Sequence, residues 1–116
     1  MNAVKNKVQL IGNLGQDPEV KVIGQDKKVA HLRIATNENY RNAKGEKVTD
    51  TQWHNVVAWG KLAETAEKYL VKGMEIVVEG KLVHRSYADK QGTKHYVSEV
   101  HANELLIMTK KGAKAE

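Results

Sequence analysis

The spacing of apolar residues along this chain changes once and then changes back. Residues 6–14 (NKVQLIGNL) are rich in Val, Leu and Ile, and residues 29–37 (VAHLRIATN) alternate cleanly. In the second stretch Ala30, Leu32, Ile34 and Thr36 fall on one face and His31, Arg33 and Ala35 on the other, the mark of a half-buried strand. Residues 62–71 (LAETAEKYLV) instead align Leu62, Ala66, Tyr69 and Leu70 on one stripe of a helix, which Gly73 is expected to stop. Alternation then returns. Residues 75–87 (EIVVEGKLVHRSY) separate Ile76, Val78, Gly80 and Leu82 from a basic and aromatic set, Lys81, Val83, Arg85 and Tyr87, and residues 94–108 supply a last strand. Turns fall at 15–18, 24–27 and 88–92. Residues 19–23 (EVKVI) read as a short extended continuation of the first strand, and residues 38–50 as a long basic hairpin around Lys44-Gly45. Gly12, inside the first strand, marks a bulge or bend. The order is three strands, one helix, two strands, with glycines where a strand must turn sharply.

Between the hairpin and the helix lies TQWHNVVAWGK, residues 51–61, which holds both tryptophans. As a strand it points Trp53, Asn55, Val57 and Trp59 one way and His54, Val56 and Ala58 the other. Six residues at the rise of a strand set the indoles ~20 Å apart, too far to touch each other but suited to two points of an extended ligand. Alternation alone leaves two uses for them, core or stacking platform. The opposite face favours the platform, because His54, Val56 and Ala58 are small or apolar enough to pack inward.

Composition bounds the rest. A chain of 116 residues with 41 % hydrophobic and 28 % charged content suits one soluble globular domain. The expected division is a folded domain over 1–108 and a short basic flexible tail over 109–116 (TKKGAKAE). The longest aliphatic run, Leu105-Leu106-Ile107-Met108, is too short to span a bilayer, and the first residues lack the apolar core of a secretory signal, so an intracellular location is expected. With no cysteine, disulfides and cysteine-bound metal clusters are excluded. The net charge of +5 suits a polyanionic partner, and much of the positive charge lies in the segments read as hairpins and edges.

Catalytic signatures are lacking: there is no P-loop, no Gly-x-Ser-x-Gly, and serine occurs only at Ser86 and Ser98. No enzyme activity and no cofactor are expected. His95, Glu99 and His101 share a face of the last strand, but their spacing matches no zinc signature, so no metal site is expected.

This order of elements predicts an all-β, five-stranded OB-fold barrel with one α-helix between strands 3 and 4 and long β-hairpin loops, a fold whose open face commonly binds oligonucleotides. The residues also carry a family resemblance. The chain resembles bacterial-type single-stranded DNA-binding proteins from about Asn6 through Tyr96. The resemblance is carried by Asn6-Lys7-Val8, Gly12-Asn13-Leu14-Gly15-Gln16-Asp17-Pro18-Glu19, Ala35-Thr36-Asn37, Trp53-His54, Gly60-Lys61-Leu62-Ala63-Glu64, Tyr69-Leu70, Lys72-Gly73 and Glu79-Gly80. It implies sequence-tolerant binding of single-stranded DNA in replication, repair and recombination, in the bacterial cytoplasm at the nucleoid, by a homotetramer of OB-folds or a dimer.

By the same resemblance, bases stack on Trp53 and Trp59 in the central strand, on Tyr40 in the hairpin before it and on Tyr87 near the tip of the later one. The family often has tryptophan where Tyr40 and Tyr87 stand and phenylalanine where Trp59 stands, so all these positions remain aromatic. Every base has a π-face, and stacking on a ring is worth ~1–3 kcal/mol per base whatever the base is. Lys7, Arg33, Arg41, Lys61, Lys72 and Arg85 would follow the phosphates. His54 is placed near a subunit contact by the resemblance; a core histidine with satisfied nitrogens is the plainer alternative. The family's Gly- and Pro-rich tail with an acidic tip ending in Pro-Phe is not found here, so either the chain is truncated or it is a tail-less paralogue, and recruitment of replication and repair proteins is not expected. Two other readings use the same fold: an OB-fold subunit for protein contacts, and a small nuclease needing clustered carboxylates and a metal.

Overall fold

Glycines set where this sheet can close on itself. In the computed structural model, which describes residues 5–108, the elements run β1 (Val8–Leu14), β2 (Glu19–Ile23), β3 (Lys27–Arg41), β4 (Lys47–Trp59), α1 (Lys61–Tyr69), β5 (Glu75–Ala88) and β6 (Lys94–Ile107). The sheet order is β1-β5-β6-β4-β3-β2, and β1 also pairs with β3 through Asn13↔Ala35 and Leu14↔Ile34, closing the ring. At Gly12, still paired with Ile76 of β5, the strand comes up against β3. A Cβ there would lie 2.2 Å from the Ala35 carbonyl oxygen, so only glycine permits the approach. Gly80 does the same on β5, where the register with β6 slips and a Cβ would sit 2.1 Å from the His101 carbonyl oxygen.

The closed barrel is made of β1, β3, β4, β5 and β6, and α1 joins the third and fourth of these five. That is the expected OB-type all-β arrangement. β2, expected as a continuation of the first strand, is a sixth strand paired antiparallel to β3 from Glu19↔His31 to Ile23↔Lys27. β4 and β6 pair in parallel at Val56↔Val100 and Val57↔His101, and the other neighbours are antiparallel.

The barrel interior is filled by the inward alternation of each strand: Leu14, Leu32, Ile34, Val56, Ala58, Ile76, Val78 and Val100, with Met74 from the turn before β5. α1 covers one end through Ala63 and Ala66, both fully buried. Here the structure corrects the sequence. Tyr69 was expected on the core-facing stripe and is instead 52 % exposed. At 3.6 residues per turn, Ala63 and Ala66 span about 60° of the helix surface, and Tyr69 lies about 60° further round. Two alanines let the helix backbone sit close over the barrel, and that closeness turns the bulky ring outward. The helix also ends at Tyr69, before Gly73. Leu70 is already extended, and Gly73, at φ 92°, serves the next turn by donating its N–H to the Leu14 carbonyl at 2.8 Å.

Two hairpins extend beyond the barrel, β3–β4 paired out to Arg41↔Lys47 and β5–β6 out to Ala88↔Lys94. Their tips use one device. Asn42 Oδ1 accepts the backbone N–H of Lys44 (2.9 Å) and Glu46 (3.0 Å), and Asp89 Oδ1 accepts those of Gln91 and Thr93 (2.9 Å each). Gly45 (φ 78°) and Gly92 (φ 83°) supply the left-handed residue each turn requires. The tail over 109–116 lies outside the described residues.

Candidate nucleic-acid interface

The outer face of β4 carries Trp53, Asn55, Val57 and Trp59, as alternation predicts. This face is not uniformly polar. Val57 is buried, as are Val29 and Ala35, the β3 partners of Trp59 and Trp53. A thin apolar floor therefore supports the indoles from below. Each indole is 49 % exposed, which rules out the core alternative for both. Trp53 lies over the end of β1, where Gly15 has no side chain to displace it. Arg33, next to β4 through Arg33↔Asn55, places its guanidinium 5.2 Å from the Trp53 ring centroid, within cation–π range. One stacking group and one cation are thus held together at this point.

Around the barrel, the β5–β6 register sets Lys81, Val83, Arg85 and Tyr87 opposite His101, Glu99, Val97 and His95 on one face. The parallel Val57↔His101 pairing joins that face to the outer face of β4. Three contacts organise it. His101 packs against Trp59 at 6.4 Å between centroids, its Nε2 is 3.0 Å from Glu99 Oε1, and the same carboxylate oxygen accepts Arg85 Nε–H at 3.0 Å. Further out, Tyr87 stacks on His95 at 5.2 Å, and His95 Nε2 is 2.8 Å from Asp89 Oδ2.

Both carboxylates are held below the ordinary acid range. Burial of Glu99, 7 % exposed, pushes its carboxyl up, but the hydrogen bonds from His101 and Arg85 and the Arg85 charge more than reverse this. Asp89 is lowered mainly by its bond to His95 and then by the N–H of Thr93.

The other expected residues are placed as follows. Tyr40 is 52 % exposed but pairs with Val48, so it lies on the alternation opposite to Trp53, at the outward continuation of the barrel's inner face. Arg41 shares the Trp53 side and donates Nη1–H to the Gly45 carbonyl at 2.9 Å, across the hairpin tip. Lys61 is exposed at the first turn of α1, two residues beyond Trp59. Lys72 is exposed in the turn before β5, which Asp17 holds by accepting the Lys72 backbone N–H at 2.7 Å. Lys7 is exposed and paired with Glu79 at 3.4 Å. His54 faces inward, with Nε2 2.9 Å from Thr36 Oγ1.

Among the described residues no group of three His, Asp or Glu could hold a metal ion. His95, Glu99 and His101 do share a face, but Asp89 takes the first and Arg85 and His101 share the second. Sequence reasoning missed the links from these histidines to the rings of Tyr87 and Trp59; the alternation of β5 and β6 carried the signal, once the strands are set in register.

Comparison with known proteins agrees with this geometry. The family model described as the single-strand binding protein family matches residues 5–108. Among solved structures, the Plasmodium falciparum SSB complex with ssDNA is similar, with a TM-score of 0.83 and 29 % sequence identity, covering 90 % of this chain and 95 % of that one. With a match that takes in the whole barrel, both hairpins and the aromatic face, the chain belongs to the single-strand binding protein family.

Proposed function

We propose that this chain binds single-stranded DNA without sequence preference and protects it during replication, repair and recombination in the bacterial cytoplasm. It acts by binding and not by catalysis. The observation that carries this is the pair of half-exposed indoles, Trp53 and Trp59, on an outer sheet face supplied with cations by Arg33 and Arg85. Bases stack on Trp53, Trp59 and Tyr87, and Tyr40 receives a segment that passes round the hairpin arm to its other face. Arg33, Arg41, Lys61, Lys72 and Arg85 line the route with positive charge, and Lys7 joins only where the strand passes Glu79. Similarity to a solved SSB complex with ssDNA supports the same ligand.

We also infer that copies of the chain assemble, as a homotetramer or a dimer. Ile11, Val77 and Leu106 are directly opposed across β1, β5 and β6. Ile11 is 53 % and Leu106 60 % exposed, an apolar strip that a second copy would cover. We infer further that His54, held by Thr36 Oγ1 at 2.9 Å, lies near a subunit contact.

The test is equilibrium binding of oligo-dT and mixed-sequence strands at several salt concentrations, with sedimentation to count subunits. Similar affinities for all strands and a steep loss with salt are expected. Binding of none of them, or of duplex equally well, refutes the assignment.

A further inference from the structure

Two histidines on the aromatic face are built alike, though they come from different parts of it. His95 lies against Tyr87 and His101 against Trp59, and each has its Nε2 on a carboxylate, Asp89 at 2.8 Å and Glu99 at 3.0 Å. The side chains are 44 % and 26 % exposed. A ring fixed by a carboxylate on one nitrogen keeps a fixed orientation and leaves its Nδ1 for another partner. We propose that His95 and His101 are two further contacts for the single strand, each extending the neighbouring ring as a stacking surface and, once protonated, taking a phosphate. This rests on the single-stranded DNA reading above and adds to it a dependence on pH.

The charges around each histidine fix the sign. Facing His95 are Asp89 from the turn and, across the strands, Tyr87, with Arg85 further along β5. Facing His101 are Glu99 on its own strand, Arg85, whose Nε–H shares the Glu99 oxygen, and Lys81 directly opposite on β5; β4 offers Val57 and Trp59, which carry no charge, and α1 begins with Lys61. The hydrogen bonds to Asp89 and Glu99 hold both carboxyls in their charged form, and imidazole is the side-chain type whose charge ordinarily changes between about pH 5 and 8. Each proton then adds a positive charge to a face whose ligand is a polyanion. Around a charged imidazole the carboxylates and a bound phosphate are attractive, and Lys81 and Arg85 are repulsive at His101. Binding should therefore tighten as pH falls.

The magnitude follows from counterion release. One more neutralised phosphate steepens the log–log salt slope by ~0.7, which is about a fivefold gain in affinity for each tenfold drop in salt. The experiment measures oligo-dT binding, whose base does not titrate in this window, at pH 8 and 5.5 across a salt series. It compares the wild-type chain with His95→Gln, His101→Gln and the double variant. Glutamine can still donate to the carboxylate but cannot charge, and His31, His54 and His84 remain as internal controls. At low pH the wild-type salt slope should steepen by about 0.7 per histidine, a gain that grows about fivefold for each tenfold drop in salt; each single variant should lose part of that steepening, and the double variant most of it. An equal pH response in all four proteins overturns the assignment of these histidines while leaving DNA binding in place; no oligo-dT binding by the wild type at either pH overturns the function itself. Melting curves verify that each variant is folded, and the single variants decide the question if the double variant is not.

Discussion

Replacing Gly15 by alanine separates binding from folding at this surface. A Cβ on Gly15 would stand 2.3 Å from Cζ3 and 2.8 Å from Cη2 of Trp53, where ordinary contact begins at 3.4 Å, so the indole must retreat by about 1.1 Å. What it meets is the far edge of a half-exposed ring that can swing into solvent. The barrel is therefore left nearly intact, and the cost falls on the position of the ring beneath Arg33. Stacking on one ring is worth ~1–3 kcal/mol, so complete loss of the Trp53 stack would weaken binding about 5- to 150-fold; a displaced ring should lose part of this, about 3- to 30-fold. The melting midpoint should fall by only a few degrees. Gly12→Ala and Gly80→Ala provide the contrast, because there the new Cβ meets backbone carbonyls at 2.2 and 2.1 Å and neither strand can yield without opening the barrel. The assay is oligo-dT titration paired with thermal melting for all three variants. Wild-type binding by Gly15→Ala, or a loss of folding as severe as in Gly12→Ala, would mean that Gly15 does not set the position of the Trp53 ring.

Other outcomes follow from the same geometry. Trp53→Ala and Trp59→Ala should each lose ~1–3 kcal/mol of poly-dT binding with little loss of folding, measured by titration and circular dichroism; unfolding of either would mean the ring supports the core. Raising salt should weaken binding with a slope of about −0.7 per phosphate neutralised, and Arg85→Ala should make that slope shallower. Glu99→Gln should be less stable than the wild type at neutral pH, because it loses the charged bonds to Arg85 and His101. The folded carboxyl is depressed, so its contribution is present above the ordinary carboxylate range and is lost as pH falls through the lower folded value. The two proteins should therefore converge in stability under acid, as denaturant melts across pH would show; a gap that persists in acid would assign the loss to packing.

Much of the barrel was legible in the sequence because its signals are local. The single change of apolar spacing located α1, the alternation of β4 set the tryptophans against Val56 and Ala58, and Lys44-Gly45 marked the hairpin tip. What stayed hidden depends on register or on close packing. Tyr69 looks like a core residue until Ala63 and Ala66 are seen to draw the helix in and turn it aside. Whether Tyr40 and Trp53 emerge on the same side depends on the register that pairs Tyr40 with Val48 and Ala35 with Trp53, and a one-residue slip of β4 would bring the two rings to one side. The carboxylate–histidine pairs escaped for a similar reason. His95 meets Asp89 only because the second hairpin folds back at Gly92, and Glu99 reaches Arg85 only in the register that β5 and β6 hold beyond the slip at Gly80.

In the proposed complex nucleobases rest on the indoles of Trp53 and Trp59. Intrinsic tryptophan fluorescence during oligo-dT titration tests it directly, since these are the chain's two tryptophans. Quenching that saturates with binding is expected, part of it lost in each single tryptophan variant. Binding detected independently, with emission unchanged in intensity and wavelength, would contradict it.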